Sequence, residues 1–166
     1  MFSRLNAPPQ KQHAAAATKA KNAEDKYYNI YSFIDADVLV RCYEQDGPVF
    51  ASSSGELPGT FATWKFTPGS ELGDYKFQSY AFGSDIVADI EVGAKITVSS
   101  SGSPVQFRLQ PSHGPDTPSL CRAQIKVTNE DLVWTIAGSG AKRAITLEKA
   151  NGSRLQDFKI KETTPC

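Results

Sequence analysis

An all-β fold with threefold internal repetition is predicted by three observations. From Lys26 onward the chain is a series of short runs rich in Val, Ile, Phe, Tyr and Thr, cut by turn-forming clusters such as Glu44-Gln45-Asp46-Gly47-Pro48, Ser52 to Gly59 and Thr67 to Gly73. Short strands with turn signals at such spacing mark a sandwich or barrel, and helix-period patterns are nearly absent. An aromatic-basic-apolar triplet recurs as Trp64-Lys65-Phe66, Phe107-Arg108-Leu109 and Phe158-Lys159-Ile160, at separations of 43 and 51 residues. The remaining strand-like runs align in threes at the same period, and such a period governs the whole fold.

In chain order, each unit opens with Tyr28-Asn29-Ile30, Tyr75-Lys76-Phe77 or Ala123-Gln124-Ile125, with Ile30, Phe77 and Ile125 spaced by 47 and 48 residues. The second runs are Asp37-Val38-Leu39, Asp85-Ile86-Val87 and Asp131-Leu132-Val133, spaced by 48 and 46. The third are Val49-Phe50-Ala51, Ile96-Thr97-Val98 and Ile145-Thr146-Leu147, spaced by 47 and 49. The triplets close each unit, and the drift in period falls in loops, the longest insertion crossing proline-rich Gln110 to Pro118. A unit of four strands cannot bury its own apolar face, so three must share a core, and closure of the sheet removes most exposed edges. The prediction is therefore a β-trefoil of three four-stranded repeats. First and fourth strands form the barrel, second and third the cap hairpins. A sandwich of similar size would leave the triple alignment a coincidence.

The 166 residues, 40% hydrophobic and 22% charged, suit one domain with a real core. We divide them into a disordered basic tail, residues 1–24, and a trefoil domain, residues 25–166. Lys plus Arg equals Asp plus Glu at 18 each, so no global field favours nucleic acid or anionic lipid, and nucleic acid is not an expected partner. The tail has no apolar run behind its basic start, and no segment is apolar enough for membrane insertion; a cytoplasmic location is expected. Cys42, Cys121 and Cys166 are odd in number and widely spaced, which indicates reduced thiols rather than disulfides or a zinc site.

Catalytic chemistry is thinly provided. His13 lies in the tail and His113 in a proline-rich loop, neither beside a cysteine or an acidic pair in sequence. The aspartates at the second-strand mouths, Asp37, Asp85 and Asp131, are explained by Asx-type turn bonding. No phosphate loop appears: Gly138-Ser139-Gly140-Ala141-Lys142-Arg143 falls where a cap hairpin must turn. No enzymatic activity, metal or cofactor is expected.

Two binding chemistries remain. Sugar binding needs an aromatic face flanked by polar side chains for the hydroxyls. Trp134 alternates with Val133 and Thr135, which allows its ring an outward position, although core packing is the other place for it. Asp131 precedes it, Asn151 and Gln156 follow, and these four residues form the candidate carbohydrate site. Protease inhibition needs a rigid exposed loop held in extended form. Ser54, Gly55, Glu56 and Leu57 lie in one such candidate loop, and Lys142, Arg143 or Arg154 could fill a trypsin-like pocket.

With these residues in view, the chain resembles the fungal β-trefoil proteins, a group that includes ricin-B-type lectins and mycocypin-like protease inhibitors. The resemblance runs from about Lys26 to Glu162. Its most recognisable part is Asp131-Leu132-Val133-Trp134-Thr135-Ile136 with Ile145-Thr146-Leu147 and the segment Asn151 to Phe158, similar to a ricin-B unit whose Gln-x-Trp signature has become Gln156-Asp157-Phe158. The other copies read Ala62-Thr63-Trp64 and Val105-Gln106-Phe107. The resemblance implies that these closing aromatics are core residues. It also implies that sugar stacks on an aromatic of the third strand, where only the first unit offers one, Phe50. It further implies a carbohydrate-binding lectin with a defence role whose partner is a glycan or glycoprotein, or alternatively an inhibitor whose partner is a protease.

Overall fold

The computed structural model describes residues 25–53, 58–111 and 121–165. Residues 1–24 and 112–120 and the candidate loop residues Ser54, Gly55, Glu56 and Leu57 lie outside the described residues, as do His13, His113 and Cys166.

Among the described residues twelve strands follow one another: β1 Tyr27–Ser32, β2 Leu39–Cys42, β3 Val49–Ser52, β4 Trp64–Pro68, β5 Asp74–Ser79, β6 Asp85–Val87, β7 Thr97–Ser99, β8 Phe107–Pro111, β9 Cys121–Val127, β10 Val133–Ile136, β11 Lys142–Glu148 and β12 Phe158–Thr163. Each expected run lies in or against its strand. The period could be read because every unit places the same apolar positions on the same strand face.

The first and fourth strands of the units close a ring. Going round it, β1 pairs with β4, β4 with β5, β5 with β8, β8 with β9, β9 with β12 and β12 with β1, all antiparallel. The contacts between units repeat: Phe66 lies opposite Phe77, Leu109 opposite Ile125 and Ile30 opposite Ile160. A closed ring leaves no edge to recruit another chain.

The second and third strands form hairpins, β2–β3, β6–β7 and β10–β11. In the last, Gly138 and Gly140 take φ of 79° and 96°, the left-handed region that a turn there requires. The three hairpins then bond to one another around the axis. The Val49 amide donates to the Ile96 carbonyl at 3.1 Å, and the Ile96 amide to the Ile145 carbonyl at 3.1 Å. Arg143 and Ala144 of β11 pair with Ala51 and Phe50 of β3, which completes the triangle.

Alternate residues of all these strands point to one core. At its centre the Trp134 indole stands nearly at right angles to Phe77, Phe107 and Phe158, with ring centroids at 5.5, 5.4 and 6.0 Å. Edge-to-face contacts of this kind add to the stabilisation from burial itself. Trp64 lies in the same core, and its indole N–H donates to the Val40 carbonyl at 3.0 Å. Trp64, Phe107 and Phe158 are all fully buried, which is the anchoring role expected of the closing aromatics. Cys42 is buried as a free thiol, and burial pushes its pKa above the ordinary value.

This aromatic layer sets a stability expectation. Phe107→Ala should cost about 3–5 kcal/mol, the range for emptying a buried aromatic site. The readout is the urea midpoint at unchanged m value. A loss below about 1 kcal/mol would show that the layer collapses freely and does not hold the barrel.

Candidate functional site

The structure disassembles the sugar site expected in the third unit. Trp134 has 0% exposure, and its indole N–H is buried without a hydrogen-bond acceptor among the described residues. It lies on the strand face of Leu132 and Ile136, both core residues, so the alternation with Val133 and Thr135 turns it inward. No sugar ring can stack on it.

Gln156 is likewise fully buried, in the 3-10 turn Arg154–Gln156 that precedes β12. Its amide acts as an internal brace: Nε2 donates to the Lys149 carbonyl at 2.9 Å and to Thr135 Oγ1 at 3.1 Å, while Oε1 accepts from the Asn151 amide at 2.9 Å. Asn151 is exposed, but its Oδ1 accepts from the Ser153 amide at 2.8 Å and so closes a local Asx turn. Asp131 is exposed in the turn between β9 and β10, and no hydrogen bond or ion pair joins it to Asn151 or Gln156. The structure thus unites Gln156 with Asn151 as framework, keeps Trp134 in the core and leaves Asp131 and Asn151 on the surface without an aromatic face. The Asx turn bond at the mouth of β2 comes from Asp35, whose carboxylate accepts from the Asp37 amide at 3.0 Å, where Asp37 itself was expected to make it.

The basic residues proposed for a protease cleft are also held elsewhere. Lys142 and Arg143 belong to β11 and are paired with Ser52 and Ala51 of β3, so they are part of a strand ladder. The Lys142 ammonium sits 4.3 Å from the Phe50 ring centroid and 5.2 Å from that of Tyr43, a cation-π placement. Arg154 opens the 3-10 turn, a conformation that cannot lie extended in a protease cleft.

A different site emerges at the seam between the first and second units. Tyr43 follows β2, Phe61 sits in the 3-10 turn Thr60–Ala62 before β4, and Phe82 lies in the turn between β5 and β6. Their rings form a continuous shelf, with centroids 5.7 Å apart for Tyr43 and Phe61 and 5.9 Å for Phe61 and Phe82. Phe61 is 39% exposed. Polar groups border the rings. The Tyr43 hydroxyl and Ser52 Oγ share a 2.9 Å hydrogen bond, Gln45 Nε2 donates to Ser84 Oγ at 3.4 Å, and Lys142 covers Phe50 at one end. Backbone bonds fix the seam, since the Tyr80 amide donates to the Thr63 carbonyl at 3.0 Å.

Tyr43, Phe61 and Phe82 were not singled out by sequence reasoning, because each comes from a different turn. The repeat carries the missing signal: one unit further on, at 47, 43 and 48 residues, the same places are Ile90, Pro104 and Glu130. Aromatic side chains at all three places distinguish the first seam from the second.

Among the described residues no three His, Cys, Asp or Glu side chains are placed to hold a metal ion, and no helix is long and apolar enough to cross a membrane.

Comparison with known proteins bears on the fold. The chain superposes on a ricin B-like lectin from Macrolepiota procera, solved in complex with lactose, with a TM-score of 0.67 and 12% identity over 81% of this chain and 94% of that one. It superposes on the Rhizoctonia solani agglutinin with a TM-score of 0.69 and 10% identity over 86% and 98% of the two chains. The designed threefold symmetric protein ThreeFoil matches with a TM-score of 0.67 and 15% identity over 82% and 99%. The architecture is therefore a β-trefoil, similar to fungal ricin B-like lectins in structure and distant from them in sequence. No family model and no curated protein matches the chain in sequence.

The brace made by Gln156 can be tested directly. Gln156→Leu keeps the volume but leaves the Asn151 amide and Lys149 carbonyl unpaired, and should cost about 2–4 kcal/mol. Chemical denaturation checks this, and an unchanged midpoint would contradict a bracing role.

Proposed function

We propose that this protein is a non-catalytic carbohydrate-binding β-trefoil whose ligand rests on the aromatic shelf of Tyr43, Phe61 and Phe82. The observation that carries the reading is the exposed Phe61 ring, flanked on both sides by aromatic neighbours and bordered by hydroxyl and amide groups. A pyranose presents an apolar C–H face and a rim of hydroxyls. The shelf offers the matching pair, ring faces for the first and Tyr43 Oη, Ser52 Oγ and Gln45 for the second.

The reading draws further support from the structural neighbours, one of which was solved with lactose. Glycans or glycoproteins are the corresponding partners. A defence role belongs to the same proposal and rests on the resemblance to fungal lectins.

A glycan array probed with the labelled full-length chain tests the proposal. Phe61→Ala should keep its circular dichroism spectrum, because the ring is partly solvated already, and should lose about tenfold or more in affinity for the best glycan. An array blank for the intact protein, or binding unchanged in Phe61→Ala, would overturn it.

A further inference from the structure

The seam between the second and third units is built differently. Where the first seam holds the shelf, the second opens into a cleft of about 470 Å³. Its polar walls carry Ser70, Glu71, Asp74, Gln106, Asn129 and Glu130, and its aliphatic floor includes Ile90, Pro104 and Val105. The volume falls in the range of small-ligand sites.

The walls are rigidly placed. Gln106 pins the loop between β4 and β5: its Oε1 accepts from the Ser70 amide at 2.7 Å and its Nε2 donates to Ser70 Oγ at 2.8 Å. Gly69 makes this approach possible, since a Cβ there would collide with Gln106 Oε1 and crowd Asp74. On the opposite wall Asn129 has φ of 67°, and the Glu130 amide closes the turn onto the Val127 carbonyl at 3.1 Å.

Two buried polar atoms of lining residues have no partner among the described residues: Asp74 Oδ2 and Thr128 Oγ1. An unpaired buried acceptor is costly, more so when it carries charge. Asp74 Oδ1 accepts from Arg108 Nε at 2.7 Å, and the same guanidinium lies 3.7 Å from Glu71. That hydrogen bond, then the charges of Asp74 and Glu71, hold the Arg108 pKa above its ordinary value. Arg108 thus serves Asp74 and Glu71, while Glu130 has no ion pair among the described residues. Among the described residues, no lysine, arginine or histidine lines the cleft. Asp89 and Glu91 flank the lining residue Ile90 in sequence and are both exposed, adding negative charge at the rim.

We infer that this cleft is a second binding site, for a small hydroxylated ligand that carries a protonated primary amine, of which an unacetylated amino sugar is the form that fits. The ammonium pairs with Glu130 and lies toward Asp74 Oδ2, the one buried carboxylate oxygen of the wall without a partner among the described residues, and the carbons of the ring lie on Ile90, Pro104 and Val105. Neutral sugars lack the charge that the wall selects. The site is independent of the aromatic shelf and shares no residue with it.

The test uses glucosamine and N-acetylglucosamine as probes, titrated into the full-length chain at neutral pH and low salt and followed by amide chemical shifts. Glucosamine should move the Asn129, Glu130 and Ile90 resonances saturably and bind about tenfold or more tighter than N-acetylglucosamine. Glu130→Gln should remove that preference. Asn129→Gly, which keeps the left-handed turn, should weaken binding while leaving the fold intact. Phe61→Ala should leave the saturable glucosamine shifts of Asn129, Glu130 and Ile90 unchanged, which separates this site from the shelf. Equal binding of the two probes, no saturable shift in the cleft, or a preference that survives Glu130→Gln would overturn the proposal.

Discussion

A four-stranded unit with one apolar face has nowhere to bury that face alone, and every other feature of this molecule follows from that constraint. Three units solve it together by turning their faces to one axis, where Trp134 meets Phe77, Phe107 and Phe158 edge to face. Closure of β1, β4, β5, β8, β9 and β12 into a ring then satisfies the strand edges. The hairpins complete the enclosure by bonding to one another below the ring. Because the core depends on a few inward positions per unit, the turns between units are free to differ.

They differ in chemistry. The seam of the first and second units carries aromatic rings with hydroxyls at their edge, whereas the seam of the second and third carries carboxylates and amides over aliphatic side chains. At the third seam Arg122 lies 4.0 Å from the Phe33 ring centroid and donates to Asp157 Oδ2 at 2.7 and 3.1 Å, a contact that ties the last unit to the first. One architecture thus presents an apolar shelf, an acidic recess and a structural clasp at three related places. Repetition supplies the scaffold, and divergence at the seams gives each its own surface chemistry.

The twelve strands of the described residues were legible because the inward positions repeat every 43 to 51 residues and turn residues separate them. Trp134 was harder to place, since strand alternation says only that it opposes Val133 and Thr135. Its shared face with Leu132 and Ile136 carried the answer, because three apolar side chains of one parity belong to the core. Gln156 resembled a binding residue through its near-match to Gln-x-Trp, yet its carboxamide is consumed by three bonds within its own unit. The shelf escaped for a physical reason: Tyr43, Phe61 and Phe82 are separated by strands and meet only when the first and second units dock. Side-chain patterning within a strand reports burial, while convergence of turns is a property of the closed barrel.

The proposed ligand site is the first seam and not the third unit. Mapping amide and aromatic-side-chain shifts while titrating the best glycan tests it most directly. The account predicts the largest changes at Tyr43, Gln45, Phe61 and Phe82, with Trp134 silent in the core. Largest changes at Asp131 and Asn151, with the shelf unmoved, would contradict it.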